Sequence, residues 1–290
     1  LAEVVAGFDG VAALSEASLL ALTGDDDVIH LTLAEDHLVG YAQLRREGAD
    51  FGPAELLVDP AARGSGRGAA LLAAALSEGA PGVWAHGELP AALALGRSAG
   101  LVVLRTLALL ARPVRGLPAA GPTPPGFAVR SYRGGDDDAC VLRVNARAFA
   151  DLPDQGSWGP AELGLRMAAP WFDPAGLLVL TTAGADRTVV GFHWTKVITP
   201  REGEVYVIAV DPHWHGHGLG RFLLLAGLDE LRSRGVERVS LFCDGANAAA
   251  LGLYRSMGFR VERNDVVLGP EVAGNASAAR LGPSSGRLGA

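Results

Sequence analysis

Residues Val210 to Leu225 read VDPHWHGHGLGRFLLL. Three histidines, His213, His215 and His217, stand two apart beside a ladder of glycines. Alternating histidines on a strand can present metal ligands on one side. Pro212, Gly216, Gly218 and Gly220 make a strand a poor reading here, and no cysteine or carboxylate cluster lies nearby to complete a ligand set. The stretch reads instead as a strand end, a tight glycine turn and the start of an apolar helix. At such a junction the unpaired N–H groups and the helix dipole face one point, which makes an anion site. A strand-to-helix turn without a ligand is the plainer alternative.

The pattern occurs twice. The first half contains LLVDPAARGSGRGAALL and the second IAVDPHWHGHGLGRFLL. Asp59, Pro60, Gly66 and Gly68 match Asp211, Pro212, Gly218 and Gly220 at a constant offset of 152. RSAGL (Arg97 to Leu101) pairs with RSMGF (Arg255 to Phe259) at an offset of 158. Shared order and spacing predict one fold duplicated. Each copy reads as a buried strand (EVYVIAV or AELLV), the glycine turn, and an amphipathic helix such as Leu219 to Ser233. A short strand follows (RVSLFC or GVWAH), then a second helix, capped in the second copy by Asn247 and Gly258. GLLVLTT and VVGFHWTKV predict a hairpin ahead of the second unit.

Between the copies, RPVRGLPAAGPTPPG carries five prolines and reads as an extended linker. The expected organisation is a first domain over residues 1–111, a linker over 112–126, a second domain over 127–270 and a disordered tail over 271–290. A net charge of -7 disfavours a nucleic-acid partner. Two distant cysteines, Cys140 and Cys243, give neither a disulfide framework nor a metal quartet. The apolar runs AALLAAAL and LVVLRTLALLA fall short of the roughly 20 residues a membrane helix needs. The N-terminus has no basic region or long apolar run of a signal peptide. The expectation is a cytoplasmic monomer that acts on a small molecule, without nucleic acid, membrane or metal.

VDPHWHGHGLGRFLL resembles the acyl-CoA loop of the GCN5-related N-acetyltransferases: Arg or Gln, two residues, Gly, one residue, then Gly or Ala. The pattern falls on His215, Gly218 and Gly220, and on Arg63, Gly66 and Gly68. His215 departs from the usual Arg or Gln. NAAALGLYRSMGF is similar to the later family motif, in which an Asn and a Tyr approach the pantetheine and the thiol. WAHGELPAALALGRSAGL, LRVNARAFADLPDQGSW, WFDPAGLLVL, GFHWTKV and GEVYVIAVDP resemble the mycothiol synthases, a family of tandem acetyltransferases of actinobacteria. That likeness extends nearly the whole chain, to about Leu268.

The resemblance implies an α/β fold, a mixed sheet in two tandem acetyltransferase domains, with acetyl-CoA as cosubstrate. It also implies a first half that lacks its first strand and is open at one edge. The CoA contacts would come from Ile208, Ala209, Val210, His215, Gly216, His217, Gly218, Leu219, Gly220, Arg221 and Asn247. In the first half they would come from Leu56, Leu57, Val58, Arg63, Gly64, Ser65, Gly66, Arg67 and Gly68. Glu204 stands at the position of the family base, and Tyr254 at that of the acid. In the first half the two offsets carry Glu204, Tyr254 and Asn247 onto Gly52, Gly96 and Leu89. That copy keeps the phosphate loop and loses these groups, so the expectation is binding without turnover.

The family acceptor is the cysteinyl amine of cysteinyl-glucosaminyl-inositol, with one ammonium and many hydroxyls. Carboxylates suit both. Asp9, Asp154, Lys196, Glu204 and Asp244 match family substrate positions. Asp154 and Asp244 are one methylene shorter than the expected acid, and Phe242 replaces a Tyr. Trp158, Trp171 and Trp194 either wall the sugar site or pack in the core. His193 reads as a hydrogen-bonded strand histidine. Two rival functions remain open: acetylation of another small amine, and acyl-CoA binding without chemistry.

Overall fold

Both copies of the strand, glycine turn and helix form, and their last strands change places. A computed structural model describes residues 1–23 and 28–271; the predicted tail beyond Glu271 lies outside the described residues. The first half comprises α1 (Ala2–Asp9), α2 (Glu16–Leu20), β1 (Val28–Ala34), β2 (Leu38–Glu47), β3 (Asp50–Phe51), β4 (Glu55–Val58), α3 (Arg67–Ser77), β5 (Val83–Ala85), α4 (Pro90–Ser98) and β6 (Leu101–Pro113). The second comprises β7 (Phe127–Ser131), α5 (Gly135–Ala148), α6 (Pro153–Gly156), α7 (Pro160–Met167), β8 (Leu177–Thr182), β9 (Val189–Thr199), β10 (Glu202–Val210), α8 (Leu219–Ser233), β11 (Arg238–Asp244), α9 (Ala248–Ser256) and β12 (Arg260–Pro270). α8 has the predicted bounds. It buries Leu219, Leu223, Leu224, Leu228 and Leu231, a stripe at helical spacing that faces the sheet. β8 and β9 form the predicted hairpin.

The second-half sheet runs β5-β12-β6-β11-β10-β9-β8-β7. β6, the last strand of the first half, pairs with β11 of the second. β12, the last strand of the second half, pairs with β5 of the first. The two exchanged strands also pair with each other, antiparallel from Arg260↔Ala111 to Pro270↔Leu101. Hydrogen bonds therefore run unbroken from one half into the other. The first half's own sheet is small: β1 pairs with β2, and β2 with β3 and β4. Among the described residues β1 pairs only with β2.

The proline-rich segment is less free than its composition suggests. β6 continues to Pro113. Val114 and Leu117 are buried in the core under α8. Val114 donates to the Glu237 carbonyl at 2.8 Å, and Ala120 donates to Asp229 at 2.6 Å. Two apolar side chains placed between the prolines supply the burial that docks the segment.

One feature of the sheet creates space. β10 and β11 pair in parallel only over Glu202–Val205 and Arg238–Leu241, then separate. A register shift against β9 between Val205 and Val207 places a bulge at Tyr206, where the strand bends. Asp211 donates its N–H to Val190 of β9 at 2.8 Å. Strand alternation then turns the N–H groups of Ile208 and Val210 the other way, into the split. The first half repeats this. Ala54 bridges Val83 at one end of β4, and Asp59 donates to Val39 at 2.9 Å. Leu56 and Val58 accordingly turn their N–H groups toward β5.

Candidate active site

The two glycine loops share more than a pattern. Asp211 accepts from the His213 N–H at 3.1 Å, and Asp59 from the Ala61 N–H at 2.9 Å. Gly216 and Gly218 have φ of 82° and 73°, Gly64 and Gly66 of 76° and 85°. A side chain is strained at such angles, which is why the ladder is glycine. His215 Nε2 donates to the Val210 carbonyl at 3.1 Å, and Arg63 Nε to the Val58 carbonyl at 3.1 Å. The histidine thus makes the contact its matching arginine makes, and the departure from the motif leaves the loop intact. The three histidines do not converge on a point. His213 bonds Asp211 at 2.8 Å and His217 bonds the His215 carbonyl at 3.0 Å. Burial would raise the Asp211 carboxyl, but Arg147 and His213 outweigh it and hold it at about 2. Asp211 is therefore a fixed anion that props the loop.

Leu219, Gly220 and Arg221 open α8, and their N–H groups have no helical partner of their own. These donors face an anion at the helix start, and the Ile208 and Val210 N–H groups in the split are open to an extended ligand. In the first half the equivalent split opens into a cavity of about 630 Å³, lined by Leu56, Leu57, Val58, Arg63, Gly64, Gly66 and Gly68. Ser65 and Arg67 do not join it. They line a separate hollow of about 330 Å³, where Arg67 pairs with Glu35.

Glu204 and Lys196 face each other across β10 and β9. A third charge arrives from the first half: Glu16 of α2 bonds Lys196 at 2.5 Å and accepts from Trp171 Nε1 at 2.9 Å. Lys196 also lies 4.5 Å from the Trp171 ring and 5.3 Å from that of Tyr206, within cation–π reach. The Tyr206 hydroxyl interacts with Glu16 and Arg166. Burial pushes the Glu204 carboxyl up to about 7; Lys196 opposes the shift and Glu16 adds to it. A carboxylate poised near neutrality, with no hydrogen bond to its oxygens among the described residues, suits proton abstraction.

Asp154 and Asp244 meet at a residue the sequence did not mark. Arg105 of the exchanged strand β6 bonds Asp154 at 2.9 Å and Asp244 at 2.6 Å. The other oxygen of Asp154 is buried without a hydrogen-bond partner. Asp244 also accepts from the Ala246 N–H at 2.8 Å, closing the turn into α9. Phe242 beside it is 40% exposed, an apolar surface open to a ligand. Trp158 donates to the Asp154 carbonyl at 3.3 Å and lies under Arg166 at 3.8 Å, so it stays with the site, as Trp171 does. Trp194 is fully buried and packs in the core. His193 is the expected strand histidine: it donates to the Leu223 carbonyl at 2.8 Å, and burial depresses it to about 4.

The remaining candidates lie elsewhere. Asp9 is gripped by the two terminal Arg63 nitrogens, Nη1 and Nη2, at 2.8 Å each and lines the first-half cavity. The first-half acid beside Lys196 is Glu16, seven residues on, which no motif or spacing singles out. Asn247 caps α9 by accepting from the Ala250 N–H at 3.0 Å. Tyr254 is buried beside Phe259 and near Cys243, and burial raises its hydroxyl well above its ordinary value, so it stays protonated. At Gly52 an added side chain would meet the Glu47 carboxylate. Glu47 thus fills from β2 the place that Glu204 fills from β10. Burial, with Asp154 adding, also lifts it to about 7. The first half therefore holds a desolvated carboxylate after all, though with glycine and leucine where Tyr254 and Asn247 would be.

The profile of the acetyltransferase (GNAT) family matches residues 145–259, from α5 through α9. The chain is 47% identical over 279 residues to a mycothiol acetyltransferase of Rhodococcus jostii (strain RHA1), covering 92% of this chain and 91% of that protein. It is 47% identical over 270 residues to a mycothiol acetyltransferase of Thermobispora bispora, covering 89% and 90%. Among solved structures, a tandem GNAT protein from the clavulanic acid biosynthesis pathway matches with a TM-score of 0.66 at 17% identity, over 93% of this chain and 94% of that one. A GCN5-related N-acetyltransferase from Sphaerobacter thermophilus matches at 0.65 and 21%, over 93% and 91%. At those identities the two structures speak for the fold alone. The chain belongs to the mycothiol acetyltransferase family and carries the GNAT fold.

Proposed function

We propose that the second half transfers the acetyl group of acetyl-CoA to the cysteinyl amine of cysteinyl-glucosaminyl-inositol. The observation that supports this best is Glu204: a carboxylate lifted to about 7, beside Lys196 and Glu16, at the mouth of the β10–β11 split. The two acids attract the ammonium and the hydroxyls of the acceptor. Glu204 accepts a proton from the ammonium, and the freed amine attacks the thioester carbonyl. The Ile208 N–H polarises the carbonyl oxygen as negative charge grows there. The C–S bond breaks, Tyr254 protonates the departing thiolate, and the second proton of the attacking nitrogen is lost to solvent, from which the tyrosine hydroxyl is restored. Asp154 and Asp244, gathered by Arg105, receive the sugar and inositol hydroxyls.

The first half, residues 1–111, holds acetyl-CoA or CoA in its cavity without turnover, and the second, residues 127–270, is the enzyme. Its expected setting is the cytoplasm, as a monomer, since one chain supplies both halves of the sheet. The test is acetylation followed by mass spectrometry, with acetyl-CoA, cysteinyl-glucosaminyl-inositol, a polyamine and an aminoglycoside in one mixture. One acetyl group on the cysteinyl amine alone is the expected result. Acetylation of a competitor instead would move the substrate, and binding of acetyl-CoA without any product would leave a binding module.

A further inference from the structure

We propose that Glu55, His86 and Asp265 are positioning residues of the acceptor site, fixing α2 so that Glu16 meets Lys196 beside Glu204. This rests on the reading of Glu16, Lys196 and Glu204 as the acceptor site. α2 has five residues, too few to hold its own shape. Its first turn is tied down from outside. Glu55 of β4 accepts from the Ser15 N–H at 2.6 Å, the Ser15 hydroxyl at 2.5 Å and the Ser18 hydroxyl at 2.8 Å. Glu16 is the next residue after that anchor.

Glu55 is itself held. It is 5% exposed, a position a carboxylate keeps only with partners. His86 Nε2 lies 3.2 Å from Glu55, and His86 Nδ1 lies 3.3 Å from Asp265. Asp265, also buried, accepts from the Gly87 N–H at 2.8 Å. With an acid on each ring nitrogen, the imidazole is a cation that donates to both. Burial would lower its pKa, but the two acids outweigh it and lift it to about 9.

Asp265 sits on β12, the exchanged strand of the second half. The connection thus leaves the second half at Asp265, crosses the first through His86, Glu55 and Ser15, and returns at Lys196. The strand exchange gives the first half a part in acetyl transfer that does not depend on its own loop. It orients an acid that the other half lacks.

Glu55→Ala would strand a buried cation and test folding as much as positioning, so the serines carry the test. Ser15→Ala/Ser18→Ala removes both hydroxyl links and leaves the three buried ions in place. The acceptor KM should rise about tenfold, with the acetyl-CoA KM and kcat within about twofold of wild type. Ser15→Thr, which keeps the hydroxyl and the cap, should restore the acceptor KM when combined with Ser18→Ala. In a Glu16→Ala background the serine changes should add nothing, because there is no longer an acid to position. An unchanged acceptor KM, or an equal rise in the Glu16→Ala background, overturns the proposal and leaves the cluster a purely structural one. If Glu16→Ala alone leaves the acceptor KM unchanged, Glu16 is not at the acceptor and the positioning role falls with it, while the Glu204 chemistry stands or falls by its own variant.

Discussion

Glu204 and Glu47 are two carboxylates that burial lifts alike to about 7; Lys196 and Glu16 stand beside Glu204, and Asp154, Arg45 and Arg105 beside Glu47. Glu204 must be ionised to accept a proton. Its carboxyl is raised to about 7, so the neutral form dominates below that pH. The kcat/KM for the acceptor should rise through about pH 7 and level off above it. A profile already flat from pH 5 would contradict the assignment. Glu47→Gln should leave turnover within about twofold of wild type. At this scale the sequence was a partial guide. The strand pattern and family likeness led to Glu204, Lys196, Asp154 and Asp244. They could not reveal Glu16, which meets a partner 180 residues away, or Arg105, which meets its two partners at separations of 49 and 139. Those pairings exist only because strands and helices cross between halves.

The glycine loop is the element whose local chemistry was most legible. Positive φ, proline at the first turn position, an aspartate cap and an apolar helix all speak through sequence alone. Gly218→Ala places a Cβ at φ 73° and should cost about 1 kcal/mol in stability, read as a lower Tm. It should also weaken acetyl-CoA several-fold, because the donors that open α8 shift with it. Normal acetyl-CoA affinity in that variant would separate the loop from the ligand. The exchanged strands were not legible. β6 and β12 follow similar helices and carry similar apolar runs, and each could pair with the sheet of its own half. The choice between own and exchanged pairing is made by tertiary geometry, not by the pattern of either strand.

At the scale of the whole molecule, the duplicated sequence suggests two beads on a proline string, and the structure is a single hydrogen-bonded body. Docking of Val114 and Leu117 under α8, and the β5-β12-β6-β11 order, tie the halves together. Unfolding should be one cooperative transition. A chain cut once between Pro118 and Gly126 should keep both pieces together through gel filtration, and the 1–111 piece expressed alone should not fold. Two separate melting transitions would contradict the exchange. The shared body also gives the first half a structural part in the second: it supplies β6, Arg105 and Glu16.

The central claim is that chemistry belongs to the second half and begins at Glu204. The most direct measurement compares wild type and Glu204→Gln for acetyl transfer to cysteinyl-glucosaminyl-inositol by mass spectrometry, with acetyl-CoA affinity determined on the same samples. Turnover should fall by about 10² to 10⁴ while acetyl-CoA binding stays nearly unchanged. Turnover at the wild-type level would place the base elsewhere and contradict the account.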